Sequence, residues 1–145
     1  MSDKYFLDTN VFVYCFDRSD RRKQERADRL VSEAVADQLG VISTQVVQEF
    51  SNVALRKFRT PMTPAECRIY LEAVLTPLCE VFPTLSLYNE ALRLHETTKL
   101  SFYDCLIIAS AISAGCRILY SEDFQAEQVI DGLIIRNPFA AGRIA

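Results

Sequence analysis

The chain has 145 residues, half of them apolar and 24% charged, with four Gly and five Pro; this fits one compact globular domain over 1–145 and excludes disordered and collagen-like classes. No apolar run approaches the roughly 18 residues of a bilayer span, and the first eight residues lack the apolar stretch of a signal peptide, so a soluble, cytoplasmic protein with no membrane partner is expected. The formal charge of −3, the single histidine (His95) and five cysteines without a C-x-x-C pair argue against a dominantly basic nucleic-acid binder, a zinc site and a histidine-based triad, leaving carboxylates as the source of chemistry.

Residues 4–7 form a short aromatic and aliphatic run that ends at Asp8-Thr9-Asn10, which predicts a strand closed by an acid. From 20 to 39, Ala27, Leu30, Val31, Ala34 and Val35 recur at helical spacing opposite a charged face, with Gly40 at the end. A strand at 41–43 precedes a helix capped by Thr44, whose stripe is Val46, Val47, Phe50, Val53 and Ala54. After Thr60-Pro61, Thr63-Pro64-Ala65-Glu66 carries a Thr cap, Pro at the first position and Glu at the third, predicting a helix to about Thr76.

A third strand is expected at 79–82, closed by Pro83, and a helix at 86–97 with Leu87, Ala91 and Leu94 on one face. Residues 102–114 are apolar almost all round and stop at Gly115, reading as a buried helix. Strands at 117–120, ending in Ser121-Glu122-Asp123, and at 133–135 complete the pattern. Short apolar strands separated by helices predict a parallel α/β sandwich with helices on both faces, and ligands on such sheets sit beyond the carboxyl ends of the strands.

Asp8 and Asp123 both follow apolar strands and are expected at that carboxyl edge. Glu49, in the second turn of the helix after the second strand, borders the Val46/Phe50/Val53 stripe, and Asp104 lies in the first turn of the buried helix. Each acid alone has an ordinary explanation: Asp8 an Asx turn with Asn10, Asp104 a capping box with Ser101, Asp123 a cap, Glu49 a solvated helix position. Together, four carboxylates in one cleft repel and raise one another's pKa unless a cation compensates. An all-oxygen set without thiolate or imidazole suits Mg²⁺ or Mn²⁺, and such ions serve phosphoryl chemistry. Asn10 and Asn52 are candidate polar helpers, with Thr9 and Ser121 as orienting hydroxyls.

Asp8-Thr9-Asn10 after the first strand, Glu49 in Gln45-Val46-Val47-Gln48-Glu49-Phe50, Ser101-Phe102-Tyr103-Asp104 before an apolar helix, and Ser121-Glu122-Asp123 after a late strand resemble, in order and spacing, the PIN-domain ribonucleases, and among them the VapC-type toxins. The resemblance runs from the first strand to Asp131-Gly132-Leu133 and Asn137-Pro138-Phe139. It implies a PIN-like three-layer α/β/α sandwich around a central parallel sheet. It also implies a Mg²⁺- or Mn²⁺-dependent endoribonuclease in which Asp8, Glu49, Asp104 and Asp123 are the catalytic, metal-holding acids. A homodimer and a small antitoxin protein that occludes the site are further implications. Glu122, adjacent to Asp123, is a competing ligand candidate.

Residues 17–29 hold six bases (Arg18, Arg21, Arg22, Lys23, Arg26, Arg29) against four acids, and Arg56, Lys57 and Arg59 form a second group; either can track RNA phosphates or be a solvated helix face. Tyr14 and Phe16 are expected to pack in the core or an interface, with base stacking as the alternative. Lys99 can meet substrate phosphate, and His95 is read as a surface residue without a catalytic task. Two rivals follow from the same residues: a PIN-like protein that holds RNA or a partner without cutting it, and a Mg²⁺-dependent phosphatase with Asp8 as nucleophile, which the Asn at position 10 disfavours.

Overall fold

Three- and four-residue strands hold a sheet together only when both faces are covered, and the apolar character of these strands matches that demand. The computed structural model describes residues 3–125 and 127–140. Its elements run β1 (Tyr5–Leu7), α1 (Thr9–Tyr14), α2 (Arg21–Asp37), β2 (Gly40–Ser43), α3 (Thr44–Arg56), α4 (Pro64–Tyr70), a π-helical segment Leu71–Leu75, α5 (Thr76–Leu78), β3 (Cys79–Val81), α6 (Leu85–Thr98), α7 (Phe102–Ser113), β4 (Ile118–Tyr120), β5 (Val129–Ile130) and β6 (Leu133–Arg136).

The sheet order is β3-β2-β1-β4-β6-β5. Every pairing is parallel except β5 with β6. The chain winds outward from β1 through β2 to β3, then returns across the sheet to β4. With right-handed crossovers, α1–α5 cover one face and α6–α7 the other. The packing agrees: α2, α3 and α1 contact one another's group, while α6 lies on α7, which spans β2, β4 and β6. The expected α/β sandwich with a mainly parallel sheet is therefore the observed one.

Phe6, Leu7, Val41, Ile42, Leu119 and Ile135 are fully buried between the layers. Beneath α1 and α3 lies an aromatic group in which Phe50 stacks on Tyr70 at 5.0 Å and Phe16 on Phe58 at 5.3 Å; Phe16 thus packs here rather than standing free. All five cysteines are free thiols, as the absence of paired spacing suggests. Among the described residues no helix is long and apolar enough to cross a membrane.

Three local features depart from the sequence expectation. The run after Asp8, for which no element was expected, is helix α1, and Asp8 caps it, accepting from the Thr9 N–H. The helix from Pro64, expected to reach about Thr76, runs on to Leu78, but widens over Leu71–Leu75 into a π turn that was not foreseen; Pro77 has no N–H to donate and its ring crowds the carbonyl four residues back, which the wider turn relieves. Asp131 and Gly132, both with positive φ (49° and 85°), form a two-residue hairpin loop that adds the antiparallel β5.

Candidate active site

The winding direction reverses between β1 and β4, so the crevice at their carboxyl ends is the switch point where open α/β sheets bind ligands. The β1–β4 ladder runs right up to it, the Asp8 N–H donating to the Tyr120 carbonyl at 3.0 Å. Asp8 is 4% exposed. One carboxylate oxygen accepts from the Thr9 N–H at 2.7 Å, the other from Ser121 Oγ at 2.7 Å. Ser121 is fully buried and also accepts from the Asp123 N–H at 3.1 Å, tying the ends of β1 and β4 together.

Burial pushes the Asp8 carboxyl up to about 7; the Ser121 and Thr9 bonds oppose that rise, and the charges of Asp123 and Glu49 add to it. Asp123 is likewise raised, first by desolvation, with the Asn10 amide opposing and Glu122, Asp104 and Glu49 adding repulsion. Asp8, at the end of β1, thus feels Asp123 and Glu49, and Asp123, after β4, feels Glu49 from α3 and Asp104 from α7. Asp104 sits on α7 where Ser101 Oγ accepts from the Asp104 N–H at 3.1 Å. The reciprocal carboxylate bond that closes the Thr63–Glu66 capping box is absent from this pair, so the Asp104 carboxylate is not consumed by its cap.

Glu49 is more constrained. Thr9 Oγ1 donates to one oxygen at 2.7 Å and Gln45 Nε2 to the other at 3.2 Å. Among the described residues no three acids, cysteines or histidines stand ready to enclose an ion as they are; like charges held by neutral donors spread apart. The donors nonetheless suit a hard cation. They are all oxygens, and the buried Asn10 Oδ1, beside Ser121 and Asp123, has no hydrogen-bond partner.

Glu122 turns the other way. Lys23 Nζ meets its carboxylate at 2.9 Å and the Tyr14 hydroxyl donates to it, which leaves Asp123 as the acid of this pair that shares the field of Asp104 and Glu49. Lys23 also lies over the Tyr14 ring at 4.7 Å. Arg22 and Arg26 donate to the Phe139 and Pro138 carbonyls at 2.9 and 3.2 Å. Half of the basic run at 17–29 thus clamps the C-terminal segment and the β4 turn. Arg18, Arg21 and Arg29 remain exposed, as do Arg56, Lys57 and Arg59.

Asn52, one turn beyond Glu49, is exposed, and the exposed His95 bonds through Nδ1 to the Leu100 carbonyl. The sequence reading missed Gln45, which is buried and joins Glu49 to the Tyr103 carbonyl at 3.2 Å; its place four residues before Glu49 was the available signal. It also missed the Tyr14–Lys23 pair, for which the sequence gives no local cue.

The chain matches the PIN domain over residues 5–131 and belongs to that family. No curated protein matches its sequence. A toxin–antitoxin complex from Klebsiella pneumoniae has the same fold at 18% identity and TM-score 0.65, over 93% of this chain and 98% of that one. VapBC2 from Rickettsia felis, bound to a promoter DNA fragment, gives 19% and 0.63 over 92% and 97%. VapC20 from Mycobacterium tuberculosis, a toxin that cleaves the sarcin–ricin loop, gives 21% and 0.59 over 83% and 90%. At these identities the likeness is one of fold.

Proposed function

We infer that this chain is a metal-dependent endoribonuclease, a single PIN-like domain over 1–145 that hydrolyses RNA phosphodiesters as the toxin of a type II toxin–antitoxin module. The observation that carries the reading is the electrostatic group of Asp8, Glu49, Asp104 and Asp123 at the β1/β4 switch point, whose unfavourable mutual charge calls for a cation. Mg²⁺ or Mn²⁺ suits these oxygen donors. Asp8 and Asp104 would hold it directly, with Glu49 and Asp123 acting directly or through water. When bound, such an ion supplies Lewis-acid polarisation of the phosphate and a more acidic water.

The protein's own groups set the geometry around it. Ser121 fixes the Asp8 carboxylate and the start of the Asp123 turn; Thr9 and Gln45 aim Glu49; Asn10 presents an unengaged carbonyl oxygen to the same space. The exposed arginines of α2 and the Arg56–Arg59 stretch give the RNA backbone a cationic approach. The toxin–antitoxin neighbours support a protein antitoxin as partner; a homodimer and a cytoplasmic location complete the reading.

The test is incubation of the purified, antitoxin-free protein with end-labelled structured RNAs in Mg²⁺ or Mn²⁺, beside EDTA and Asp8→Asn controls. Discrete cleavage lost in both controls is expected. One observation favours a second reading, a domain that binds RNA or a partner without cutting: both Glu49 oxygens are already engaged. Metal-independent RNA binding with no cleavage across the panel would select it.

A further inference from the structure

Next to the acids, at the carboxyl ends of β2 and β3, lies a cavity of about 470 Å³ that none of the chemistry above uses. Its walls mix aromatic and aliphatic groups (Tyr88, Phe102, Tyr103, Leu87, Leu106) with polar ones, Ser43 and Gln45 among them. Phe102 contacts both tyrosines, with ring centroids 6.4 Å from Tyr88 and 5.6 Å from Tyr103. Tyr103 is 66% exposed, a large aromatic left open at the first turn of α7, where packing alone would have hidden it.

Two polar side chains on the lining are short of partners. Ser43 is 2% exposed and its Oγ makes no hydrogen bond; Gln45 is 7% exposed and its Oε1 makes none. The amide orientation of Gln45 is fixed by its nitrogen, which donates to Glu49 and to the Tyr103 carbonyl. Its oxygen can therefore only accept, and the Ser43 hydroxyl can donate or accept. Buried polar atoms without a protein partner are unfavourable, and a ligand edge carrying complementary donors and acceptors satisfies them.

We propose that this cavity is a nucleobase-binding subsite, which takes one unstacked base of the RNA next to the bond being cut and selects bases that present an N–H to Gln45. This rests on the ribonuclease reading. An unpaired base is flat, has a face for stacking and an edge of donors and acceptors, which is the complement of an open tyrosine above a polar floor. The register suits it: Tyr103 precedes Asp104, and Gln45 is bonded to Glu49, so a base seated here places its own phosphate at the acids. With the Gln45 nitrogen held by Glu49 and the Tyr103 carbonyl, its Oε1 and the Ser43 hydroxyl are the polar groups a base edge would meet.

The test has two arms. In the first, the metal-free full-length protein, labelled at its Leu and Ile methyls, is titrated with AMP, GMP, CMP and UMP. Leu87 and Leu106 are expected to shift with affinities that differ among the four bases. Tyr103→Ala should weaken the best of them about tenfold, as the loss of one base stack implies, and Tyr103→Phe should restore it. In the second arm, cleavage sites are mapped on a random-sequence RNA: Tyr103→Ala and Ser43→Ala should flatten the base preference adjacent to the cut, and Tyr103→Phe should keep it.

Unmoved pocket methyls, or a base preference that survives Tyr103→Ala, would overturn the proposal. Methyls that ignore all four nucleotides and shift only with a co-purifying protein would overturn it too, in favour of a protein-binding pocket. Failure of the ribonuclease reading looks different: the wild type then cuts nothing, whatever the nucleotide titration gives.

Discussion

A carboxylate as buried as Asp8 keeps its charge only where something compensates it, and two neutral donors, Ser121 and Thr9, do so only in part. Asp8→Asn and Asp104→Asn preserve shape and remove ligand charge, so each is expected to fold with a native circular dichroism spectrum and to lose at least about 100-fold in cleavage rate. Either variant cutting at the wild-type rate would remove that residue from the site. Lys23 poses the opposite case, since its partner Glu122 is mostly buried with it. Lys23→Met leaves Glu122 uncompensated and should lower unfolding free energy by about 1–2 kcal/mol in urea, with Glu122→Gln adding little on top. The four candidate acids stand out in the sequence because three sit at strand ends or helix starts, and Glu49 borders an apolar stripe. Lys23 was not legible in this way, because its partner Glu122 lies 99 residues away, and Gln45 offered only its spacing of four from Glu49, its other partner, Tyr103, lying 58 residues away.

At the scale of elements, the alternation of short apolar strands with 3.6-period helices was legible nearly to the residue, since each boundary carries a cap, a proline or a glycine. What escaped was decided by tertiary context. The run after Asp8 becomes helix α1 because Asp8 caps it and it packs on α2 and α3, and β5 is too short to register although its Asp131-Gly132 loop was in plain view. Gly40 marks a close approach between elements: a Cβ built there would lie 2.4 Å from the Ala34 Cβ and 3.2 Å from its Cα, on α2. Gly40→Ala must push α2 away from β2, and a loss of about 1–3 kcal/mol is expected by thermal or urea unfolding. Thr63→Ala removes one half of the α4 capping box, and about 1 kcal/mol is expected from the same measurement.

For the whole molecule, the acid cluster sets how stability depends on pH, and the sign can be worked out from Asp8. Unfolded, its carboxyl loses its proton near the ordinary aspartate value of 3.8; folded, it holds the proton to about 7. Between these values the native state binds more protons than the unfolded one, so stability falls as pH rises through that window and levels off above it. A gap of about three pH units corresponds to a ceiling of about 4 kcal/mol. The raised Asp123 acts in the same direction, and Glu49 faces the pair without a cationic neighbour in its hydrogen bonds. Chelator-treated protein should therefore melt lower at pH 8 than at pH 5. Mg²⁺ binds the ionised form, so it should raise the melting temperature at pH 8 and do little at pH 5, where it competes with protons. Asp8→Asn removes the titrating group, so the variant should lose most of this slope and, without metal at pH 8, be more stable than the wild type. That reversal separates a site strained to hold a cation from an acid kept for structure: a wild type whose stability is flat from pH 5 to 8, or an Asp8→Asn variant that melts lower at pH 8, would mean that the carboxylate already has the compensation it needs within the fold.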